Sequence, residues 1–415
     1  MSNYKCNSVG IIGAGIQGVC IGLQLIKKGI PVTIFDKNDP GSMSSYGNAG
    51  HFSPYAVVQL NRPDVIYDIP KMLLSSYGPL ALKWNYIPKM IPWILKYLKS
   101  STKKSMMHTT KYMHQILDLS LDAYDEILSE IDTTNLVERK GIIYIWTNKN
   151  LKSRNMEIKI RNDLGIKQRL LTKEEVLELE PNLNPVFDAG VIYDYAYHAR
   201  DPKEITKKLF ELFLKSGGKF KKEEVLNIEQ TKYNQTQVRT NTEKFNFEKL
   251  VLACGAFSKK LTDQLGENIP LDTERGYHVH YKDVDHLLKR PVIFLDRGFG
   301  MTPMNQGLRA VGTVELGGFD NPISKKRIDY IDKCAKELLP QLGDFHDKWL
   351  GFRPTLPDFL PVIGPSLKNR NIIYAFGHHH LGWTLGAITG KIVSGIVNEE
   401  KTNLDLSAYS SARFN

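Results

Sequence analysis

The residues with the clearest chemical potential are three glycines near the start of the chain. Residues 13–18 read GAGIQG, a G-x-G-x-x-G pattern. Gly13 permits a tight turn, Gly15 lets a pyrophosphate approach the backbone, and Gly18 lets a helix pack close to a strand. The N-terminus of that helix would face the phosphates with unpaired N–H groups and the positive end of its dipole. The pattern alone is weak evidence, so the flanking residues decide whether it binds a dinucleotide.

Three consecutive histidines, His378, His379 and His380, are a second group that could do chemistry. Their residue type suits a metal, but consecutive residues on an extended chain alternate between two faces. One tripeptide is therefore a poor source of three metal ligands. The four cysteines form no C-x-x-C pair, and none lies near a histidine at zinc-ligand spacing. We expect no metal site, and reduced thiols as in a cytoplasmic protein.

The elements around the glycine motif strengthen its interpretation. Residues 8–12 are a short apolar run typical of a buried parallel strand, residues 19–28 read as a helix, and residues 30–35 read as the next strand. Asp36 follows, 18 residues beyond Gly18, where a carboxylate can accept hydrogen bonds from an adenosine ribose. This strand–turn–helix–strand–acid unit predicts dinucleotide binding.

Three further helices are predicted from caps and periodicity. Asp201 is an N-cap residue followed by proline at the first helical position, and this helix should end at a glycine pair, residues 217–218. Another capped helix should start at Thr172. Apolar residues recur at helical spacing from Met113 to Ile131, which predicts one long helix there.

Other segments bear on whether the dinucleotide is FAD or NAD. The loop 38–50 is small and polar, and it could supply hydroxyls and bare N–H groups to a ligand that extends past its pyrophosphate; a flexible surface loop is the alternative. A buried strand at 250–252 leads into a turn of small residues. Near the C-terminus, residues 351–354 read GFRP, and residues 377–384 open a helix that runs to about Val397.

Composition excludes several classes of protein. The chain has 415 residues, of which 42% are apolar and 24% charged, an ordinary globular mixture that allows two or three domains. It is neither disordered, collagen-like nor a small disulfide scaffold. No signal peptide is expected, because the first motif begins at about Ser8. The longest apolar run, residues 9–26, contains two glutamines and five glycines, which favours a buried strand and helix over a membrane span.

The net charge of +10 is concentrated in one segment. Residues 61–115 contain nine Lys and Arg against two Asp, so this stretch carries about +7. Its lysines alternate with Tyr, Trp and large aliphatic residues, and five prolines limit any helix there to short pieces. No nucleic-acid recognition motif accompanies the charge, so we expect no nucleic-acid partner.

Taken together, these segments resemble the D-amino-acid oxidase/glycine oxidase superfamily of FAD enzymes. Within it, the sequence is most similar to bacterial D-amino-acid dehydrogenases and their D-hydroxyproline dehydrogenase-like relatives. The resemblance covers nearly the whole chain and is carried by residues 13–18, Asn48-Ala49-Gly50 with Ser53-Pro54, Glu274-Arg275-Gly276-Tyr277, 351–354 and 377–383. It is specific to the family but not to a substrate.

The resemblance implies an α/β fold with a second α+β domain. A doubly wound Rossmann-type FAD domain would be interleaved with a substrate domain built on an antiparallel sheet. The expected FAD domain is discontinuous and comprises residues 1–60, 101–140, 191–269 and 351–415. Residues 61–100 would form a basic, aromatic-rich insertion or lid. The substrate domain would comprise residues 141–190 and 270–350.

The resemblance, together with the glycine motif, also implies which residues bind FAD. They are Gly13, Gly15, Ile16, Gln17, Gly18, Asp36, Lys37, Ser44, Ser45, Asn48, Ala49, Gly50, Val225, Ala253, Gly255, Arg353, Leu381, Gly382, Trp383 and Thr384. Residues 382–384 would open the last helix at the pyrimidine edge of the flavin, where its dipole stabilises negative charge by up to about 1–2 kcal/mol. No cysteine follows Cys334, so we expect FAD to be bound non-covalently.

Five residues are candidates for catalysis. Arg353 lies in the G-x-R-P pattern, whose arginine binds the substrate carboxylate in several relatives, and its planar fork suits that anion. The alternative is a structural ion pair at the domain seam; for Arg275 we favour such a salt bridge. His51, Tyr277 or His380 could orient the amine or accept a proton, as could His278. The histidine at position 379 departs from the family, which commonly has glycine there, and leaves the shape of that turn open.

The implied reaction is oxidation of a D-amino acid or a related secondary amine such as a D-proline or hydroxyproline. Hydride would pass from Cα–H to flavin N5, and the imine would hydrolyse to a keto acid. One alternative is a sarcosine- or dimethylglycine-like N-demethylating oxidase. An alternative of another class is a non-catalytic flavin-binding subunit of a larger complex. The dehydrogenase relatives imply a quinone or other electron-transfer acceptor. Segment 61–115 could then contact the inner face of the cell membrane peripherally. The alternative is an ordinary amphipathic lid or interdomain helix pair with a solvated lysine face.

Overall fold

The computed structural model describes residues 6–66, 69, 78–148, 151–231 and 235–414. Its first sheet has six strands in the order Lys219–Lys221 (β10), Val32–Phe35 (β2), Val9–Ile12 (β1), Lys249–Leu252 (β14), Ile372–Phe376 (β21) and Val362–Pro365 (β20). The first five strands are parallel and the sixth is antiparallel. The central strands are buried along their length, which is why their sequences are continuous apolar runs.

The second sheet has nine strands and is mostly antiparallel. Eight of them lie in the order Asp347–Thr355 (β19), Asp272–Lys282 (β15), Gly307–Leu316 (β18), Phe299–Met304 (β17), Val292–Phe294 (β16), Ile142–Trp146 (β6), Ala189–Tyr193 (β8) and Arg169–Thr172 (β7). The ninth, Leu80–Leu82 (β4), pairs with β18 in parallel. This sheet supplies the wall that faces the first sheet across the candidate site.

Two three-stranded sheets complete the strand structure of the described residues. One is formed by Val225–Gln230 (β11), Thr236–Thr240 (β12) and Lys244–Phe247 (β13). The other is formed by His51–Phe52 (β3), Tyr197–Ala199 (β9) and Val137–Glu138 (β5). The second of these links the polar loop after β2 to the segment before the capped helix at residue 202.

The helices pack on both sheets. The described α-helices are Ile16–Lys27 (α1), Ser44–Gly47 (α2), Ile87–Ser100 (α3), Lys103–Leu117 (α4), Ser120–Leu128 (α5), Leu151–Asp163 (α6), Lys173–Leu179 (α7), Pro202–Lys215 (α8), Ser258–Gln264 (α9), Lys325–Leu338 (α10) and Gly382–Val397 (α11). Short 3₁₀ turns lie at Trp84–Tyr86, Gly255–Phe257, Asp285–Leu287, Leu295–Arg297, His379–Leu381, Ser407–Tyr409 and Ser411–Phe414. In the described ranges, every helix is too short or too polar to span a bilayer.

Helices α1 and α11 cross closely beside the parallel sheet. A Cβ added at Gly390 of α11 would lie 2.8 Å from the Cys20 carbonyl oxygen of α1, so the contact requires glycine. A Cβ at Gly386 would likewise lie 2.9 Å from the Ile16 side chain. This contact brings the N-termini of the two helices to the same edge of the sheet.

The helix predictions meet mixed outcomes. Asp201 caps α8 by accepting a hydrogen bond from the Glu204 N–H, and Thr172 forms a capping box with Glu175, as predicted. The single long helix predicted over 113–131 is wrong, because α4 ends at Leu117 and α5 begins at Ser120. The Ser120 hydroxyl donates to the Leu117 carbonyl at 2.6 Å and marks the interruption.

The insertion also differs from expectation. Its prolines predict only short helical pieces, yet α3 runs for 14 residues, with Pro88 in its first turn and Pro92 on its exposed side. Residues 67, 68 and 70–77 of the predicted insertion lie outside the described residues. The predicted domain limits stay predictions, but the limit at 351 divides β19 and the limit at 191 divides β8.

Candidate active site

A cavity of about 740 Å³ lies between the two large sheets. Its walls come from the turn after β1, the loop after β2, the turn after β14, the facing surface of β15, β18 and β19, and the start of α11. The carboxyl ends of the parallel strands open into it, which is where open α/β sheets bind ligands. The predicted cofactor-binding residues should therefore lie at this cavity.

At one end of the cavity, the glycine turn behaves as its pattern predicts. A Cβ at Gly13 would lie 2.5 Å from the Ala253 carbonyl oxygen, and a Cβ at Gly18 would lie 1.9 Å from the Gly13 carbonyl oxygen. A Cβ at Gly15, by contrast, would meet only the Ser45 hydroxyl at 3.4 Å. Gly15 caps α1 without a side-chain hydrogen bond, so the helix N-terminus faces the cavity.

Asp36 lies at the same end and is held by the backbone. Its Oδ2 accepts a hydrogen bond from the Ala14 N–H at 2.8 Å, and its Oδ1 accepts one from Asn38 at 2.9 Å. Burial raises the pKa of this carboxyl despite these two hydrogen bonds. Lys37 and Val225 line the cavity beside it. This arrangement leaves a carboxylate at the cavity wall where an adenosine ribose was predicted.

The loop that contains α2 forms a second wall. The Asn48 side chain donates to the Ser44 and Ser45 carbonyls and accepts from the Gly50 N–H, so it closes the loop on itself. The Ser45 hydroxyl accepts a hydrogen bond from the Ile16 N–H at 2.9 Å. These bonds tie the loop to the start of α1.

The start of α11 closes the cavity opposite the glycine turn. The Gln17 side-chain amide donates to the Gly382 carbonyl at 2.7 Å and joins the two helix N-termini. Thr384 Oγ1 donates to the His51 carbonyl and accepts from the Ser53 N–H, which ties α11 to β3. Trp383 lines the cavity with a buried indole.

Sixteen of the twenty predicted cofactor residues line the cavity, namely Gly13, Gly15, Ile16, Gln17, Asp36, Lys37, Ser44, Ser45, Asn48, Ala49, Val225, Ala253, Gly255, Arg353, Gly382 and Trp383. The other four are Gly18, Gly50, Leu381 and Thr384, and they stand behind the wall. Gly18 permits the close helix contact, and Gly50 has a positive φ of 71°. These four residues support the cavity wall from behind. The cofactor-binding roles of all twenty residues stay predictions.

Arg353 places a cation at the wall of the cavity. Its Nη1 donates to the Thr313 carbonyl at 2.9 Å, and its guanidinium lies over Gly276, where a Cβ would be 2.5 Å from Nη2. Burial lowers the pKa of Arg353. The negative charge of Glu274, which pairs with Arg353 across β15 and β19, raises that pKa by a smaller amount. Within the described residues, no carboxylate lies within ion-pairing distance of this guanidinium. It therefore offers hydrogen-bond donors to an anion in the cavity.

Arg275 contrasts with Arg353. It is fully buried, and its Nε lies 3.0 Å from Glu315 Oε1, an ion pair inside the same sheet. Tyr277 shares this face, since its hydroxyl donates to Glu315 at 2.7 Å. Burial, together with the hydrogen bond to the negatively charged Glu315, raises the pKa of Tyr277 to about 12. The structure thus places Tyr277 on the face of β15 away from Arg353 and does not bring it to the cavity.

Three histidines near the cavity, His380, His51 and His278, differ in their surroundings. His380 is exposed at the cavity wall. Desolvation by the surrounding protein, followed by the positive charge of Arg353, lowers its pKa to about 4. His51 is not among the residues that line the cavity; its Nε2 pairs with the Thr302 hydroxyl at 2.7 Å, and burial lowers its pKa to about 3. His278 binds the Gly47 carbonyl through Nδ1 at 3.0 Å. Of these three rings, that of His380 is the one exposed at the cavity wall, to which Arg353 also belongs.

The triple-histidine turn keeps the backbone shape that glycine would give it. His379 has a positive φ of 53° and stacks on Phe359, whose φ is 60°, with ring centroids 4.7 Å apart. His378 bonds to the Thr389 hydroxyl through Nε2 at 3.1 Å. In the described part of the chain, no group of side chains could hold a metal ion. The alternation predicted for an extended chain does not apply here, because residues 379–381 form a 3₁₀ turn.

Comparison with protein families decides the identity of the fold. The family described as "DAO: FAD dependent oxidoreductase" matches residues 8–396, which is most of the chain. The chain belongs to this family.

Relatives and solved structures agree with this assignment. The chain is 32% identical to "D-amino-acid oxidase" from Bradyrhizobium diazoefficiens, over 98% of both chains. It is 27% identical to "D-amino acid dehydrogenase" from Vibrio atlanticus, over 97% of this chain and 99% of that protein. The glycine oxidase structure from Geobacillus kaustophilus superposes with a TM-score of 0.75 at 22% identity, covering 98% and 99% of the two chains, and shows the same fold. The protein is accordingly an FAD-dependent oxidoreductase, and the predicted fold class is confirmed.

The residues of this FAD-dependent oxidoreductase fit its cofactor. Gly15 leaves space for a pyrophosphate at the start of α1, and the start of α11 supplies a second helix N-terminus. Gln17 Oε1 and Trp383 Nε1 are buried polar atoms, and neither has a hydrogen-bond partner among the described residues. Such atoms are expected where a polar ligand completes the site.

Several lining residues were not predicted from the sequence. Phe257 and Phe319 stack with centroids 4.8 Å apart, and Phe319 also meets Phe352 at 5.0 Å. Trp349 lies against Gly47 and Gly351, where an added Cβ would approach its ring to 2.3 Å and 1.8 Å. These aromatic residues come from separate loops and strands, so no local pattern marked them; only the two glycines that admit Trp349 could have given a signal.

Proposed function

We propose that the protein oxidises a D-amino acid, or a related cyclic secondary amine, that carries a free carboxylate. The observation that carries this proposal is Arg353, a guanidinium at the cavity wall with no carboxylate partner among the described residues. Its planar donors can bind a substrate carboxylate in two parallel hydrogen bonds, which fixes the orientation of Cα. The names of the similar oxidase and dehydrogenase support the choice of D-amino acids.

The roles of the chain's residues follow from their positions. When bound, FAD would supply the redox chemistry, serving as the acceptor for hydride from the substrate Cα. Arg353 orients the carboxylate, and His380, whose low pKa keeps it neutral near pH 7, can accept a hydrogen bond or proton from the amine. The imine product then reacts with water to give a keto acid and ammonia, or remains cyclic when the amine is secondary.

A substrate panel tests this proposal. The purified enzyme is mixed anaerobically with D- and L-amino acids, proline derivatives and N-methylglycines, and flavin bleaching is followed at each addition. Bleaching by D-amino acids or D-prolines supports the proposal. Bleaching by N-methylglycines, with release of formaldehyde and peroxide, would replace it with the N-demethylating alternative. No bleaching by any compound, with FAD bound, would favour a non-catalytic subunit.

Non-covalent attachment of FAD is part of the same proposal. Cys254 is the cysteine at the cavity wall, and its thiol donates to the Ile12 carbonyl at 3.1 Å. Burial raises its pKa to about 12, so its thiolate is scarce at neutral pH. Precipitation with acid should release the yellow colour into the supernatant. Colour that stays with the pellet would contradict non-covalent binding.

We propose further that α3 contacts an anionic membrane surface. The outward side chains of Ile91, Leu95 and Leu98 lie one turn apart along one face and are 43–61% exposed, and Trp84, just before the helix, is 83% exposed. Lys89 and Lys99 are exposed beside this face. Apolar residues with flanking lysines suit an interface with anionic lipid. A membrane position would favour a quinone as electron acceptor over oxygen.

Vesicle flotation tests the membrane contact. The enzyme is mixed with phosphatidylcholine vesicles, with or without phosphatidylglycerol, at low and at moderate salt. We expect flotation with the anionic vesicles at low salt and a clear loss in Leu95→Glu. The matched control Leu214→Glu changes an exposed leucine of α8 and should float like the parent protein. Absence of binding at low salt would end the membrane proposal.

The acceptor is tested separately. Reoxidation of the substrate-reduced enzyme is timed with a water-soluble quinone and with oxygen at equal concentrations. We expect the quinone to react faster. Faster reoxidation by oxygen, with stoichiometric peroxide, would identify an oxidase instead.

A further inference from the structure

Arg309 is a buried cation that the proposed reaction does not use. It lies on β18, is 5% exposed, and is directly opposite His280 on β15. Residues two apart on a strand face the same way, so Arg309 shares its face with Val311, which lines the cavity. Its side chain therefore extends from the second sheet toward the loop around α2.

The guanidinium is bound to that loop through backbone atoms. Its Nη1 donates to the Tyr46 carbonyl at 2.9 Å and to the Asn48 carbonyl at 2.8 Å. The guanidinium carbon also lies 5.2 Å from the centroid of the Tyr46 ring. Asn48 and its neighbour Ala49 both line the cavity. One residue of the second sheet thus holds the loop that walls the predicted flavin position.

The charge of Arg309 is not neutralised by an ion pair within the described residues. Two carboxylates, Asp201 and Asp347, favour the charged form of Arg309, but both lie beyond ion-pairing distance. Asp347 is also exposed. The Nε of Arg309 is buried without an acceptor in the described part of the chain. An arginine remains protonated under these conditions, so its positive charge acts across a region of low dielectric.

We propose that Arg309 positions the loop 44–50 and that its positive charge raises the reduction potential of the bound flavin. Reduction adds negative charge to the flavin, so a nearby fixed cation favours the reduced state. Carbonyl oxygens hold the guanidinium without cancelling its charge, whereas a carboxylate would. The inference rests on the proposed position of FAD beside this loop, and it does not depend on which amine is the substrate.

Potentiometry of charge variants tests the electrostatic part. The flavin potential is measured by dye equilibration during chemical reduction, which requires no substrate. Arg309→Gln should shift the redox equilibrium toward oxidised flavin by at least about tenfold, about 30 mV for two electrons. Arg309→Lys keeps the charge and should retain most of the potential, while its weaker hold on the two carbonyls should lower the affinity for FAD.

Two further variants keep the test decisive if Arg309→Gln folds poorly. His280→Glu places a carboxylate opposite Arg309 and should lower the potential, whereas His280→Gln should not. The matched control Arg297→Gln removes an arginine that is paired with Glu337 at 2.7 Å. Its potential should equal that of the parent protein.

The outcomes separate this inference from the proposed function. An unchanged potential in Arg309→Gln or in His280→Glu, with FAD bound, would overturn the electrostatic role. Equal FAD affinity in the parent protein and Arg309→Lys would overturn the positioning role. A substrate panel without activity leaves these potentials measurable, so failure of the amine proposal would be seen separately.

Discussion

Two arginines on neighbouring strands show how little the residue type alone says about function. Arg275 is paired with Glu315 in a dry environment, while Arg353 meets a carbonyl and the open cavity. Arg353 pairs with Glu274, the residue next to Arg275, so the two arginines point to opposite faces of the sheet. The sequence identifies both as candidates, but the strand pairing decides which face each side chain occupies. For the same reason Tyr277 could not be assigned to a face in advance.

At the scale of single residues, Arg353 carries the first prediction. Arg353→Lys keeps a charge but loses the planar pair of donors, so kcat/KM for the best D-amino acid should fall by roughly 100-fold or more. Most of the loss should appear in KM, because the carboxylate is bound in both ground and transition states. Steady-state kinetics with the parent protein and the variant would measure it.

The control for this prediction is Arg290→Lys, which alters an arginine paired with Glu180 at 3.0 Å away from the cavity. Its kinetics should match those of the parent protein. An Arg353→Lys enzyme with unchanged KM would show that another group binds the carboxylate.

At the scale of elements, local signals predicted local structure well. The caps at Thr172 and Asp201 and the glycine turn appear where the sequence placed them. The split between α4 and α5 was missed, because apolar periodicity continues through Ser120 and does not register a side-chain hydrogen bond to the backbone. A helix cap can be predicted from two or three neighbouring residues. The break between α4 and α5, by contrast, depends on a single hydroxyl group that bonds to the backbone.

The turn between β1 and α1 gives the second prediction. In Gly18→Ala the new methyl would lie 1.9 Å from the Gly13 carbonyl oxygen, and backbone cannot move aside as a flexible side chain can. The helix should shift away from the strand, with a loss of about 1–3 kcal/mol in the free energy of unfolding and weaker FAD binding. Denaturant unfolding and the flavin-to-protein absorbance ratio would measure both.

Gly343→Ala is the matched control for that substitution. An added Cβ at Gly343 meets nothing within 4 Å, so stability and flavin content should stay at the parent level. A Gly18→Ala protein with full flavin content and parent stability would show that the helix does not need this close approach.

At the scale of the whole molecule, the fold class could be predicted but the pairing of distant segments could not. β16 pairs in parallel with β6 across almost 150 residues, and Arg353 lies on a strand of the second sheet although the sequence placed it with the FAD domain. Such contacts depend on long-range packing that leaves no local mark. The charge of segment 61–115 was visible at once, but the exposed apolar face of α3 between its lysines required the structure.

The whole molecule should also be sensitive to acid because it buries neutral histidines. Burial lowers the pKa of His51, His198, His278 and His378 to about 3. In the unfolded chain these groups would titrate near 6.5, so the unfolded state binds more protons between these values. Stability is therefore complete above about pH 6.5 and is lost as the pH falls toward 3.

His378 allows this third prediction to be tested at one residue. Burial is the cause of its lowered pKa, and its Nε2 bonds to Thr389, an interaction that glutamine can replace. In His378→Gln, the fall of the free energy of unfolding below pH 6.5 should be shallower by up to about 1.4 kcal/mol per pH unit. Urea unfolding at several pH values between 5 and 8 would measure the slope. The exposed His286→Gln control should retain the parent slope. An equal slope in His378→Gln would mean that folding does not lower the pKa of His378.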